Sequence, residues 1–325
     1  MQFITPLRRL IAVGLLTASA FATAQPVANG NVKILVGFPA GGAPDAVARA
    51  FADQLRVSSG ATVVVENRPG ASGKIAIDAL LAGPATGETI AVIPSSVLAL
   101  VPQIVASAKY DSVRDFVTLG SVAEYGFGVA AGPASRATTI AAYKDWAKTH
   151  PKESSYGTPG LGTPQHFLGA QLEKSLAIDL THIPYKGGAA AVTDVIGGTV
   201  PLLITTEQLL VPYETQGTLK ALFITSNKRN PKMPQVPTAR EVGLPQLEAT
   251  DWFGVFARAG TSAASVSDWR AMVIKVISAP KYQDAMKGQG YTVPTGQPSD
   301  FPKLLATERS GWTERVRVSG FTAAD

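Results

Sequence analysis

Cysteine is absent from all 325 residues, so no disulfide framework, thiolate metal site or thiol nucleophile is available. Histidine occurs only at positions 150, 166 and 182. None of these lies in an H-x-x-x-H or carboxylate-flanked spacing, so no metal site is expected. Charge is sparse, at 16% Asp, Glu, Lys and Arg. The net charge of +5 includes Arg8 and Arg9, and no dense basic run exists, which disfavours nucleic acid and leaves only a weak long-range pull on anions. A G-x-S-x-G elbow is missing, so a serine hydrolase of that type has no seat. Gly70-Ala71-Ser72-Gly73-Lys74-Ile75 is only a partial P-loop, with Arg68 at the upstream glycine position and Ile75 after the lysine. Gly157, Gly160 and Gly162 have the wrong order for a dinucleotide fingerprint. No cofactor and no catalytic residue is therefore assigned. Low-complexity tracts and short-period repeats are also missing.

What is present begins at the N-terminus. Arg8 and Arg9 precede an apolar run from Leu10 to Ala22, and Ala22-Thr23-Ala24 has the small-residue form of a cleavage site. About thirteen apolar residues cannot span a bilayer core that needs roughly 20. Residues 1–24 are therefore expected to be a cleaved export signal, placing the mature protein in the periplasm. No later run is long and apolar enough to span a membrane.

Along the rest of the chain, short β-branched runs alternate with helical patterns. Strands are expected at Lys33–Phe38, Ala61–Glu66 and Thr89–Pro94, then at Ser154–Gly157, Leu180–Pro184, Pro201–Thr206 and Leu219–Thr225. Val47, Phe51 and Leu55 recur every four residues, giving a helix with one apolar stripe. Ala76, Leu80 and Leu81 mark another helix, and Ile140–Thr149, Gln165–Leu176 and Ala189–Ile196 three more. Alternation of this kind defines an α/β fold.

Two loops are chemically alike. Phe38-Pro39-Ala40-Gly41-Gly42-Ala43-Pro44-Asp45 and Tyr156-Gly157-Thr158-Pro159-Gly160-Leu161-Gly162-Thr163-Pro164 each join a strand's C-terminal end to a helix. Glycine allows close backbone approach, and a helix N-terminus offers unpaired N–H groups to an anion. In open α/β sheets ligands lie outside the carboxyl ends of the strands. The two loops together suit one carboxylate gripped from both sides. Asp45 also has a local explanation, as a first-turn acid four residues before Arg49.

Several segments in register resemble the Bug receptors, the TctC-like substrate-binding family of tripartite tricarboxylate transporters. They are Gly37–Arg49 (GFPAGGAPDAVAR), Val64–Gly73 (VVENRPGASG), Lys109–Phe116 (KYDSVRDF), Tyr156–His166, Pro184–Gly198 (PYKGGAAAVTDVIGG), Leu219–Leu244 and Trp252–Thr261 (WFGVFARAGT). The likeness covers essentially the whole mature chain. It implies a two-lobe, type II periplasmic-binding-protein (Venus-flytrap) fold, with mixed, mostly parallel sheets joined by two hinge strands near Tyr125–Ala131 and Trp252–Arg258. Lobe one would comprise residues 25–125 and the return segment 252–325, and lobe two residues 126–251. Gly126, Gly128 and Gly254 would suit hinge motion.

The resemblance also implies a site whose carboxylate is held by backbone N–H groups and water rather than by arginine. Phe38, Pro39, Ala40, Gly41 and Gly42 would form one jaw with Asp45 behind it. Thr158, Gly160, Gly162 and Thr163 would form the other, bordered by His166, Tyr185, Gly187, Gly188 and Ala189, with Lys186 turned to solvent. Where the family carries a Gly-Thr-rich, His-containing stretch, this chain has Pro94 to Pro102, leaving Ser95 and Ser96 as donors. Where the family often carries Met-Phe-Asp, it has Ile204-Thr205-Thr206, with Thr205 at the site. Loss of that acid points from amino acids toward a mono- or dicarboxylate with an apolar or aromatic body. The expected protein is a monomeric receptor that closes on its ligand and docks on membrane transporter subunits. A ligand sensor signalling to a membrane protein is the alternative, and a periplasmic hydrolase with a site assembled only in three dimensions is the least favoured.

Overall fold

A computed structural model describes residues 30–297, 300–319 and 321; the expected export signal lies outside these residues. The chain opens with β1 (Asn31–Val36), α1 (Ala43–Ser59), β2 (Thr62–Asn67), α2 (Lys74–Ala82), β3 (Thr89–Pro94) and the short helices α3 (Ser95–Ala99) and α4 (Val101–Ile104). β1 pairs in parallel with both β2 and β3. Between the first two strands, Val47, Phe51 and Leu55 are fully buried, as their spacing requires. Gly60 ends α1 in the left-handed region, where its N–H reaches the Arg56 carbonyl.

β4 (Phe116–Ala131) then carries the chain out of this sheet. It is followed by α5 (Ile140–Thr149), β5 (Ser155–Thr158), α6 (Pro164–Leu176), β6 (Thr181–Pro184), α7 (Gly188–Ile196), β7 (Leu202–Thr206), α8 (Glu207–Gln216) and β8 (Lys220–Ile224). β9 (Thr250–Arg258) returns, and α9 (Ala263–Ile277), α10 (Pro280–Gly288) and α11 (Phe301–Ser319) complete the described fold. Parallel pairs occupy the outer ends, β1–β2 and β1–β3 on one side and β5–β6 and β5–β7 on the other. Antiparallel pairs fill the middle, where β4 meets β9 over Phe116–Gly126 and β7 and β8 over Phe127–Ala131. One strand thus belongs to both lobes' sheets.

The expected strands fall within two residues of those observed, and β3 and α5 coincide with their expected bounds. The first half of β4 was not expected, because Gly120, Glu124 and Gly126 break the apolar pattern. Pairing with β9 overrides that weak local preference. The helix α8 was also not expected, since Pro212 lies inside it and forfeits one helical hydrogen bond.

The glycines of the crossing strand β4 are required by packing. A Cβ on Gly126 would lie 2.1 Å from Ser226 Oγ, and one on Gly128 would lie 2.5 Å from Leu210 Cδ1. After β9 the chain packs back on the first lobe, where the buried Trp269 indole donates to the Gly87 carbonyl at 2.9 Å. No helix among the described residues is long and apolar enough to cross a membrane.

Candidate ligand-binding cleft

A cavity with about 800 Å³ of open space, its mouth and adjoining solvent included, lies between the two sheets. On the first side it is lined by Phe38, Pro39, Ala40 and Gly42, at the start of α1. Gly41 turns the loop with φ +82°. Its N–H points away from the cavity, donating to Asp45 Oδ2 at 3.0 Å. The same oxygen accepts from Arg49 Nε at 2.9 Å, while Oδ1 accepts from Asn67 Nδ2 at 2.9 Å. Asn67 also donates to the Phe38 carbonyl at 3.0 Å. Asp45 is 4% exposed and sits behind the jaw. Burial raises its carboxyl pKa, but the bonds from Arg49, Gly41 and Asn67 and the Arg49 charge outweigh that and hold it below the ordinary value. Asp45 is thereby the brace of this loop.

On the second side, the wall comes chiefly from the β6–α7 turn: Lys186, Gly187, Gly188, Ala189 and Ala190, with Thr205 and Thr206 of β7 beside them. Of the Thr158–Thr163 loop, only Pro159 and Thr163 reach this cavity, and Gly160 lies with Tyr185 at the mouth. That loop is folded on itself. The Thr158 and Thr163 hydroxyls both donate to the Gly160 carbonyl, at 3.1 and 2.8 Å. Thr163 also caps α6 by accepting from His166 N. Two backbone bonds, Tyr185 N to Thr158 O at 3.0 Å and Gly187 N to Pro159 O at 2.9 Å, zip it to the β6–α7 turn.

α1 and α7 both begin at glycines, Gly42 and Gly187, without a side-chain cap. Their first-turn N–H groups are left for water or ligand, and both helix starts line one cavity. Lys186 is the one cation among the lining residues. It borders the cavity while remaining exposed, in keeping with the solvent-facing position expected for it.

Gly162 and His166 stand behind the wall. Gly162 N–H lies 3.2 Å from His166 Nδ1, and the His166 ring stacks on His182 at 3.6 Å. His182 Nε2 is 2.7 Å from Thr158 Oγ1. Burial pushes the two imidazoles down, to about 4 for His166 and about 3 for His182, where the neighbouring ring adds to the effect. Depressed folded values mean the unfolded chain binds the extra protons, so this pair stabilises the fold above the ordinary 6.5. That contribution is lost as pH falls toward 3–4. In His182→Asn, the pH-dependent part of stability assigned to this pair should shrink by about half. Thermal melts of parent and variant across that window test it; parallel profiles would refute the assignment.

The deep wall was the least visible from sequence. Ser96, Val97, Tyr125 and Phe253 line it, and the Tyr125 and Phe253 rings stack at 4.5 Å. Just behind lies Asp251 on β9, 6% exposed. Its Oδ1 accepts from Ser95 Oγ and Trp252 N, both at 2.7 Å, and its Oδ2 from Ser96 Oγ at 2.6 Å and Tyr125 Oη at 2.9 Å. Burial raises the carboxyl pKa above its ordinary value, and the four hydrogen bonds oppose that rise without cancelling it. Ser95 does not line the cavity, and both serines spend their hydrogens on Asp251 instead of standing ready as donors. Nearby, Glu308 Oε1 accepts from the Trp252 indole at 2.5 Å, and burial pushes this carboxyl up to about 7.

The two sides touch across the mouth. Ser72 Oγ donates to the Leu161 carbonyl, and a Cβ on Gly187 would stand 3.0 Å from Pro39 Cδ. Among the expected site residues, Gly41, Asp45, Ser95, Thr158, Gly162 and His166 thus support the wall without lining it, whereas Tyr125, Gln165, Leu209 and Phe253 line it and were not expected.

Two lobes closing on one cavity, with the chain crossing between them on β4 and β9, is the architecture of a solute-binding receptor. Residues 47–319 match the family model described as tripartite tricarboxylate transporter family receptor, and the chain belongs to that family. It is 30% identical over 319 residues to the protein BugT of Bordetella pertussis, covering 96% of this chain and 98% of that one. Two solved structures share the fold. The R. palustris protein Rpa4515 with adipate has a TM-score of 0.85 at 27% identity, covering 90% of this chain and 98% of that one. MatC from Rhodopseudomonas palustris with bound malate has a TM-score of 0.83 at 25% identity, covering 88% and 99%. These relatives place the chain among periplasmic solute-binding proteins rather than enzymes.

Proposed function

We propose that this protein is an exported receptor that captures a small carboxylate by closure of two lobes, residues 25–125 with 252–325 and residues 126–251. It then presents the closed form to the membrane subunits of a tripartite tricarboxylate-type uptake system. The observation that carries this is the pair of uncapped helix N-termini, α1 from one lobe and α7 from the other, opening on one cavity beside Lys186. Unpaired N–H groups and the positive dipole ends stabilise an anion there. A ligand bridging both helices binds the closed form better than the open one, and that differential affinity drives closure. The relatives solved with malate and adipate support a carboxylate ligand.

Native mass spectrometry of protein from its own periplasm should find a small organic acid bound. A thermal-shift panel of carboxylates is the purified counterpart. Ligand at a thousand times its Kd adds about 4 kcal/mol, a rise of several degrees at roughly 2–4 °C per kcal/mol for a chain of this size. A panel in which no carboxylate raises Tm would refute the reading.

A further inference from the structure

Ser96 and Tyr125 line the deep wall of the cavity, yet each points its only hydroxyl hydrogen away from it, at Oδ2 of Asp251. Ser95 and the Trp252 backbone N–H fill the other oxygen. A carboxylate offers about four lone-pair positions, and all four are taken by donors. The backbone N–H of Trp252 cannot reverse its role, and neither serine nor tyrosine has a second hydrogen to offer. What Ser96 and Tyr125 retain for the cavity is their oxygen lone pairs. Donating to Asp251 makes these oxygens better acceptors themselves, because hydrogen bonds in a chain polarise one another. No cation appears among the groups bonded to Asp251. Glu308, the other acid facing this cluster, is bonded through the Trp252 indole.

We propose that Asp251 is a positioning residue that fixes the Ser96 and Tyr125 hydroxyls as acceptors, so that the deep end of the cavity selects a ligand group that donates a hydrogen bond. This rests on the carboxylate reading above. With the carboxylate at the α1 and α7 N-termini, the ligand is an acid that carries a hydroxyl, amide or ammonium group at its far end. A second carboxylate or a bare methyl group in the same place is disfavoured. A carboxylate would meet lone pairs with no hydrogen to accept, and a methyl would leave two polar oxygens without a partner.

The test is isothermal titration of short straight-chain acids of graded length, each compared as the unsubstituted acid, the ω-hydroxy acid and the diacid. In the parent protein the ω-hydroxy acid should bind about tenfold more tightly than either counterpart at the best-fitting length. Asp251→Asn supplies an amide N–H that the hydroxyls accept, turning their hydrogens toward the cavity, so the order should level or reverse in favour of the diacid. Tyr125→Phe, which removes one acceptor, should narrow the preference and stands in if the Asn variant does not fold. A diacid or unsubstituted acid that equals or outbinds the hydroxy acid at every length in the parent would overturn the proposal. So would an order unchanged in Asp251→Asn or, should that variant not fold, in Tyr125→Phe. If no acid of any type binds the parent, the carboxylate reading itself fails, and this inference with it.

Discussion

Gly187→Ala is expected to weaken carboxylate binding by on the order of tenfold or more while lowering Tm by only a few degrees. The glycine sits at φ +110° and ψ 157°, a region essentially confined to glycine, where an L-residue costs on the order of 1–3 kcal/mol. A second cost exists only when the lobes are shut, because the new Cβ would meet Pro39 Cδ at 3.0 Å across the cleft. Strain in the turn lowers stability, whereas the cross-cleft contact opposes closure and so registers in Kd. Gly217→Ala separates the two. Gly217 also has positive φ, at +70°, but open space around its missing side chain, so Tm should fall with Kd unmoved. Titration and melting of both variants check this; an unchanged Kd in Gly187→Ala would mean that the cleft does not shut along this contact.

The second large effect is expected from Asp45→Ala. The substitution takes the acceptor from the exposed Gly41 N–H, which can turn to water, and from one hydrogen of the half-buried Asn67 amide, which keeps its bond to the Phe38 carbonyl, for a cost of about 1–2 kcal/mol. Arg49, half exposed, finds water and adds little. Tm should fall by several degrees at roughly 2–4 °C per kcal/mol, and ligand affinity should fall with it as the Phe38–Gly42 jaw loses its brace. Because the folded carboxyl titrates below its ordinary 3.8, the Asp45 contribution is full above that value and is lost as pH falls through the folded pKa. The gap in stability between parent and variant should therefore stay level from neutral pH to about 4 and close below it. Acid-to-neutral melts of both proteins would show this, and equal Tm values throughout would deny Asp45 the role.

Sequence alone placed the α1 stripe, β3 and the first glycine loop because each is a local pattern: a period of about four, a β-branched run, a glycine pair before a helix. The Asp45–Arg49 pair was legible for the same reason, being spaced one helical turn apart. Asn67, the third member of the brace, is 22 residues from Asp45, and nothing in its neighbourhood announces the contact. The second jaw was sought in the Thr158–Thr163 loop, whose hydroxyls turned out to hold that loop together; Gly187-Gly188, at the true rim, was read as its border. The deep wall was furthest from view. Ser95 and Asp251 are 156 residues apart, and only β9 pairing with β3 and β4 brings the acid beside Ser95, Ser96 and Tyr125. One local signal existed, an acidic residue inside the otherwise apolar strand Thr250–Arg258. The absent acid at position 206 drew attention to the ligand's amine tolerance, while Asp251 places a carboxyl group behind the deep wall from a different strand.

Contact across the mouth also sets how long a ligand stays. Ser72 bonded to the Leu161 carbonyl and Pro39 against Gly187 narrow the way out of the cavity, and opening of the lobes would part both contacts. Residence time would then depend on how often the lobes open as well as on the bonds the ligand itself makes. On the proposed uptake role, a membrane partner that grips both rims would hasten release without touching the ligand.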